Sequence, residues 1–124
     1  MIQYISTAQA PAALGPYTQA VKAGPFLYLS GMVPIDPATG QLAGAGTAAQ
    51  AEQVMKNIGA LLAAAGYEFL DVVKTTCFLS DMQDFAAFNK VYAAYFTGKP
   101  ARSCVAVREI PKNALVEVEV IAYK

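Results

Sequence analysis

Residues 47 to 66 constrain the fold of this chain more than any other stretch. Ala51, Val54, Met55, Ile58, Leu61, Leu62 and Ala65 recur at spacings of three and four, which puts them on one stripe of a helix. Thr47 is placed to act as N-cap, Gln50 follows three residues later as in a capping box, and Gly66 closes the run. A single apolar stripe must be buried against another element, so this helix faces a sheet.

Strands to build that sheet are legible on both sides. Residues 71 to 79, Asp-Val-Val-Lys-Thr-Thr-Cys-Phe-Leu, are rich in β-branched and aromatic side chains. Residues 2 to 5 read as a short initial strand, and residues 26 to 30, Phe-Leu-Tyr-Leu-Ser, as a strand that stops at Gly31. Gly15-Pro16-Tyr17 marks a turn, and Asp36-Pro37-Ala38-Thr39-Gly40 is a stronger one, with Pro second and Gly closing. A second helix, capped by Asp81 or Asp84, carries Phe85, Phe88, Val91, Tyr92, Tyr95 and Phe96 on one side, with Asn89 among them. It must end near Gly98 and Pro100. Two more strands fall near residues 102 to 107 and 115 to 123. The order is βαβαβ plus an extra strand: an α/β sandwich in one domain over residues 1–124, with both helices on one face.

In the last strand Val116, Val118, Val120 and Ala122 alternate with Leu115, Glu117, Glu119, Ile121 and Tyr123. The first set should pack on the helices. The two glutamates are then either solvated sheet residues or the lining of a cleft. In the preceding strand Arg102, Cys104 and Ala106 share a face. Taken alone, Arg102 reads as a surface residue or a partner for Glu119, and Cys104 as a small buried hydrophobe. The segment from 108 to 114 is too long for a tight hairpin, so these two strands need not pair. Arg102 and Glu117 can therefore meet within one chain or across a boundary between copies.

Composition narrows the chemistry. The chain contains no histidine, so the usual general base and commonest metal ligand are missing. Proton transfer falls to carboxylate, thiol, hydroxyl or water. Cys77 and Cys104 fit no zinc spacing and make no disulfide framework, which points to reduced thiols in a cytoplasmic setting. Nine acidic and nine basic residues give no basic field, which disfavours nucleic acid as a partner. No basic, apolar leader and no stretch of membrane-spanning length is seen, so no membrane partner is expected. Hydrophobic residues reach 56% against 15% charged, which suggests a surface covered by another subunit, unless alanine alone inflates the count.

Gly15-Pro16-Tyr17, Ser30-Gly31, Val73-Lys74-Thr75-Thr76, the Phe85–Phe96 helix, Pro100-Ala101-Arg102-Ser103-Cys104 and Val116-Glu117-Val118 occur in that order. Together they resemble the RidA/YjgF-like family of reactive imine and enamine deaminases, over nearly the whole chain. The resemblance implies an α+β, chorismate-mutase-like single domain, with a mixed β-sheet and two helices packed on one face, assembled as a homotrimeric barrel with clefts between subunits. It implies hydrolysis of 2-imino acids, such as 2-iminopropanoate and 2-iminobutanoate, to 2-keto acids and ammonia. That is metabolite damage control by a hydrolase acting on C=N, without metal or other cofactor. The roles implied are carboxylate binding for Arg102 and water orientation for Glu117. Cys104 corresponds to a cysteine of the site, which we read as pocket shape because an imine needs no covalent nucleophile. Tyr17, Ser30, Gly31 and Asn89 would close the pocket.

One departure stands out: only Thr97-Gly98-Lys99 lie between Phe96 and Pro100, where many relatives carry more residues. Three rival readings are weighed against the deaminase. They are a non-catalytic trimer that binds small carboxylated metabolites, a nucleic-acid-directed activity, and a chaperone switched through exposed cysteines.

Overall fold

The alternating strand at the end of the chain lies inside a six-stranded mixed sheet rather than at its edge. The computed structural model describes residues 1–124. The elements are β1 (Ile2–Ile5), β2 (Ala20–Ala23), β3 (Phe26–Met32), α1 (Thr47–Ala64), β4 (Val72–Leu79), α2 (Phe85–Tyr95), β5 (Ala101–Ala106) and β6 (Val116–Tyr123). Their order across the sheet is β1-β2-β3-β6-β4-β5. β4 and β5 run parallel, joined by the α2 crossover, and every other pairing is antiparallel. β5 and β6, whose pairing the long 108–114 segment left open, do not pair; both flank β4.

Both helices cover one face of the sheet. Val116, Val118, Val120 and Ala122 of β6 are at most 1% exposed there, against Val54, Met55, Ile58, Leu61 and Leu62 of α1. Each of these side chains other than Ala122 contributes about 1.5–3 kcal/mol on removal from water. Phe88 and Tyr92 of α2 and Phe96 at its C-cap are buried, and the last two rings lie 4.5 Å apart. Beneath them Thr75 of β4 is fully buried and shares a 2.7 Å hydrogen bond with the Tyr92 hydroxyl.

Several local expectations change. β2 was not foreseen: Ala-Val-Lys-Ala is short and nearly featureless, and what forms it is the two-residue Gly24-Pro25 loop that pairs Ala23 with Phe26, with Gly24 at a φ of 60°. The order is thus three strands before the first helix, not one or two. Thr47 is the first helical residue and not the cap; Gly46 is the cap, without a side-chain bond. Gln50 is drawn elsewhere, its amide donating to the Gly44 carbonyl and accepting from the Leu115 N–H. Asp81 accepts from the Gln83 N–H and caps the 3₁₀ turn Met82–Asp84, while Asp84 precedes α2 without a capping bond.

β3 continues past Gly31 to Met32. Leu29 pairs with Val120 and Met32 with Val118, so Ser30 and Gly31 together oppose Glu119 alone. That is a β-bulge, which re-aims side chains beside it.

Candidate functional site

Strand alternation puts Arg102 and Glu117 on opposite faces of the sheet. In register, Arg102 pairs with Thr75 and Cys104 with Cys77, and both β4 residues are fully buried under the helices. Glu117 pairs with Phe78 and Glu119 with Thr76, on the face that carries no helix. Within one chain the two groups occupy separate clefts.

The first cleft, about 510 Å³, opens where α2 gives way to β5. Arg102 donates from Nη1 to Asn89 Oδ1 at 2.7 Å. Its guanidinium lies 4.7 Å from the Tyr92 ring centroid and 5.4 Å from that of Phe85. Asn89 and the two aromatics come from one side of α2, three and four residues apart. The planar group is thereby held by stacking and a neutral acceptor, with further N–H donors left for a planar anion. Cys104 is half-buried beside Cys77 on the same face, and it is not among the residues that line the cleft. Burial raises the Cys104 thiol pKa, partly opposed by Arg102. Cys77 is pushed up to about 12 by burial, an inert core thiol as its strand suggested.

The second cleft, about 480 Å³, lies on the open face and gathers Tyr17, Ser30, Gly31, Glu117 and Glu119. The bulge presents Gly31 directly under the Glu117 side chain, and a Cβ there would overlap the carboxylate. Ser30 lines this space, but its hydroxyl donates to the Thr18 carbonyl at 2.6 Å. Gln19 straps the preceding loop: its amide donates to the Pro11 carbonyl at 2.6 Å and accepts from the Thr7 N–H at 2.7 Å. The Tyr17 hydroxyl accepts from the Leu14 N–H, leaving the ring at the rim. Burial raises the Glu117 pKa, and the charge of Glu119 adds to it. A half-desolvated carboxylate of this kind is a competent proton acceptor at neutral pH.

The structure thus divides the expected site residues between two clefts, Arg102 with Asn89 in the first and Glu117 with Tyr17, Ser30 and Gly31 in the second. Sequence reading missed Phe85 and Tyr92 as the stacking partners of Arg102. Their helical spacing was visible, but it reads equally well as core. It also missed Lys99, whose place in the first cleft depends on the turn after α2.

The chain is thus a small α+β domain with a mixed six-stranded sheet and a separate cleft on each side of it. Residues 7–124 match the family model described as Endoribonuclease L-PSP. A RutC family protein of Pyrococcus horikoshii is 51% identical over 125 residues, covering 100% of this chain and 99% of its own. The mouse protein named 2-iminobutanoate/2-iminopropanoate deaminase is 49% identical over 119 residues, covering 95% of this chain and 88% of its own. The crystal structure of RidA from an Antarctic Psychrobacter superposes with a TM-score of 0.95 at 47% identity, covering 98% of this chain and 99% of that one. The chain belongs to this RidA-like family, as its motifs suggested.

Proposed function

We propose that this protein hydrolyses 2-imino acids to 2-keto acids and ammonium, at a site completed by Arg102 of one copy and Glu117 of another in a homotrimer. The observation that carries this reading is the split itself: a preorganised anion anchor and a raised-pKa carboxylate sit in separate clefts of one chain. The open face that bears Glu117 also exposes Phe26, Tyr28 and Tyr123, with Val105 on β5, an apolar surface suited to burial between copies.

The chemistry needs little more. Arg102 takes the α-carboxylate through paired N–H···O contacts. Glu117 accepts a proton from water as its oxygen adds to the iminium carbon, forming a carbinolamine. It then passes that proton to the nitrogen, accepts the hydroxyl proton as the carbonyl forms, and ammonia leaves with it as ammonium. Iminium and water become ketone and ammonium, with no change of oxidation state. Proximity in a closed cleft supplies much of the acceleration.

The family description names an endoribonuclease, but a chain with zero formal charge presents no extended basic field to the backbone of a polynucleotide. The second reading, a non-catalytic binder of carboxylated metabolites, keeps the role of Arg102 and drops that of Glu117.

The test is complementation. Imino acids are generated in situ by an amino-acid oxidase, and keto-acid release is followed with wild type, Arg102→Ala, Glu117→Gln and the two variants co-expressed. Each variant alone should lose at least about 100-fold in rate. The mixture should recover about a quarter of wild-type activity by random assortment of subunits. No recovery would refute the composite site, an active Glu117→Gln would remove Glu117 from the mechanism, and a wild type that releases keto acid no faster than the spontaneous reaction would favour the binder.

A further inference from the structure

The Arg102 cleft holds one more cation than a single carboxylate uses. Lys99 lines it together with Arg102, and none of the eight lining residues is acidic. In a chain whose charges cancel overall, this is a local excess of two positive groups around one cavity. Arg102 is committed in position by Asn89 and two rings, whereas Lys99 is exposed.

The turn fixes where Lys99 points from. Its N–H donates to the Phe96 carbonyl at 3.1 Å, closing the chain after α2, and its φ is 53°. That left-handed conformation favours glycine, so a lysine is held there at a conformational cost. Only Pro100 and Ala101 lie between Lys99 and Arg102, which keeps their Cα atoms within about 11 Å even when fully extended. Two long cationic side chains at that separation can grip both ends of a short dicarboxylate.

We infer that Lys99 is a second anion anchor, and that this protein prefers 2-imino acids carrying another carboxylate at the end of a short side chain. The inference rests on the deaminase reading and deepens it. Arg102 holds the α-carboxylate beside the reacting carbon, and the ammonium of Lys99 meets the distal carboxylate. An apolar side chain leaves that ammonium solvated and gains nothing from it.

The experiment compares kcat/KM on the imino acids formed from glutamate and from alanine by D-specific oxidases. Wild type should favour the diacid by about fivefold, and the preference should shrink as salt is added. Lys99→Met and Lys99→Gly should bring the ratio close to one, while Lys99→Arg should retain it. The glycine variant guards against misfolding, because the positive φ is unstrained for it. A wild-type preference for the alanine-derived imine, or a ratio unchanged in both variants, overturns the inference. If wild type turns over neither imine the deaminase reading fails, and binding decides the anchor separately. Glutarate should then bind about fivefold more tightly than butyrate to wild type but not to Lys99→Met, and equal binding overturns it.

Discussion

The Glu117 carboxylate lies against the backbone of Gly31, in space that any side chain at position 31 would fill. The contact exists because β3 bulges at Ser30–Gly31 opposite Glu119. Gly31→Ala should therefore push the carboxylate aside rather than break the strand. The displaced group is the free end of a flexible side chain, so stability should fall by less than about 1 kcal/mol. Activity should fall about 100-fold, and in a Glu117→Gln background the same substitution should cost almost nothing further. Denaturant melts and steady-state rates on the four proteins check this.

The pKa of Glu117 is raised first by burial and then by Glu119. A base must be ionised, so turnover should rise with pH through a limb above 4.5, the ordinary value. Glu119→Gln removes the second cause and should move that limb to lower pH. For stability the sign is the reverse of the usual carboxylate. The folded state holds the proton more tightly, so ionisation opposes folding, fully above the raised pKa and not at all below the unfolded value. Glu117→Gln should then melt higher than wild type at pH 7 while losing turnover. A limb at or below 4.5, or a lower melting temperature, contradicts this.

Cys104 should prove dispensable to the chemistry. Burial keeps its thiol protonated, and it does not line the Arg102 cleft. Cys104→Ala should retain rates within about tenfold of wild type, where loss of a covalent nucleophile would cost far more. Labelling by iodoacetamide at pH 7 should be slower than for a small free thiol.

Tyr92 joins core to site, with its ring under Arg102 and its hydroxyl on fully buried Thr75. Tyr92→Phe keeps the ring and leaves the Thr75 hydroxyl only the weak 3.9 Å contact from the Cys77 thiol, at a cost of about 1–3 kcal/mol. Thr75→Val in that background should recover part of the loss, as equilibrium unfolding would measure.

What the sequence disclosed divides along physical lines. The α1 stripe and the alternation of β6 were legible because burial imposes a period, and their apolar faces pack as expected. β2 was not, because four small or charged residues acquire a strand only through their pairing with β3. Thr47 and Gln50 matched a capping box by spacing, yet Gln50 is claimed by Leu115, sixty-five residues away. No local rule sees such a competitor. For the site, Arg102 and Glu117 were singled out by residue type and family motif. Their placement on opposite faces followed from alternation only once Thr75 and Cys77 set the register. Lys99 escaped because its role depends on a left-handed turn, not on any pattern.

With its guanidinium under the helices and its acid on the bare side of the sheet, a solitary protomer has both reagents and no way to bring them together. Under the composite-site reading, output per molecule becomes a function of how crowded the molecules are. Dilution would silence the enzyme before it unfolded, and catalysis would switch on only once enough copies had accumulated to find one another.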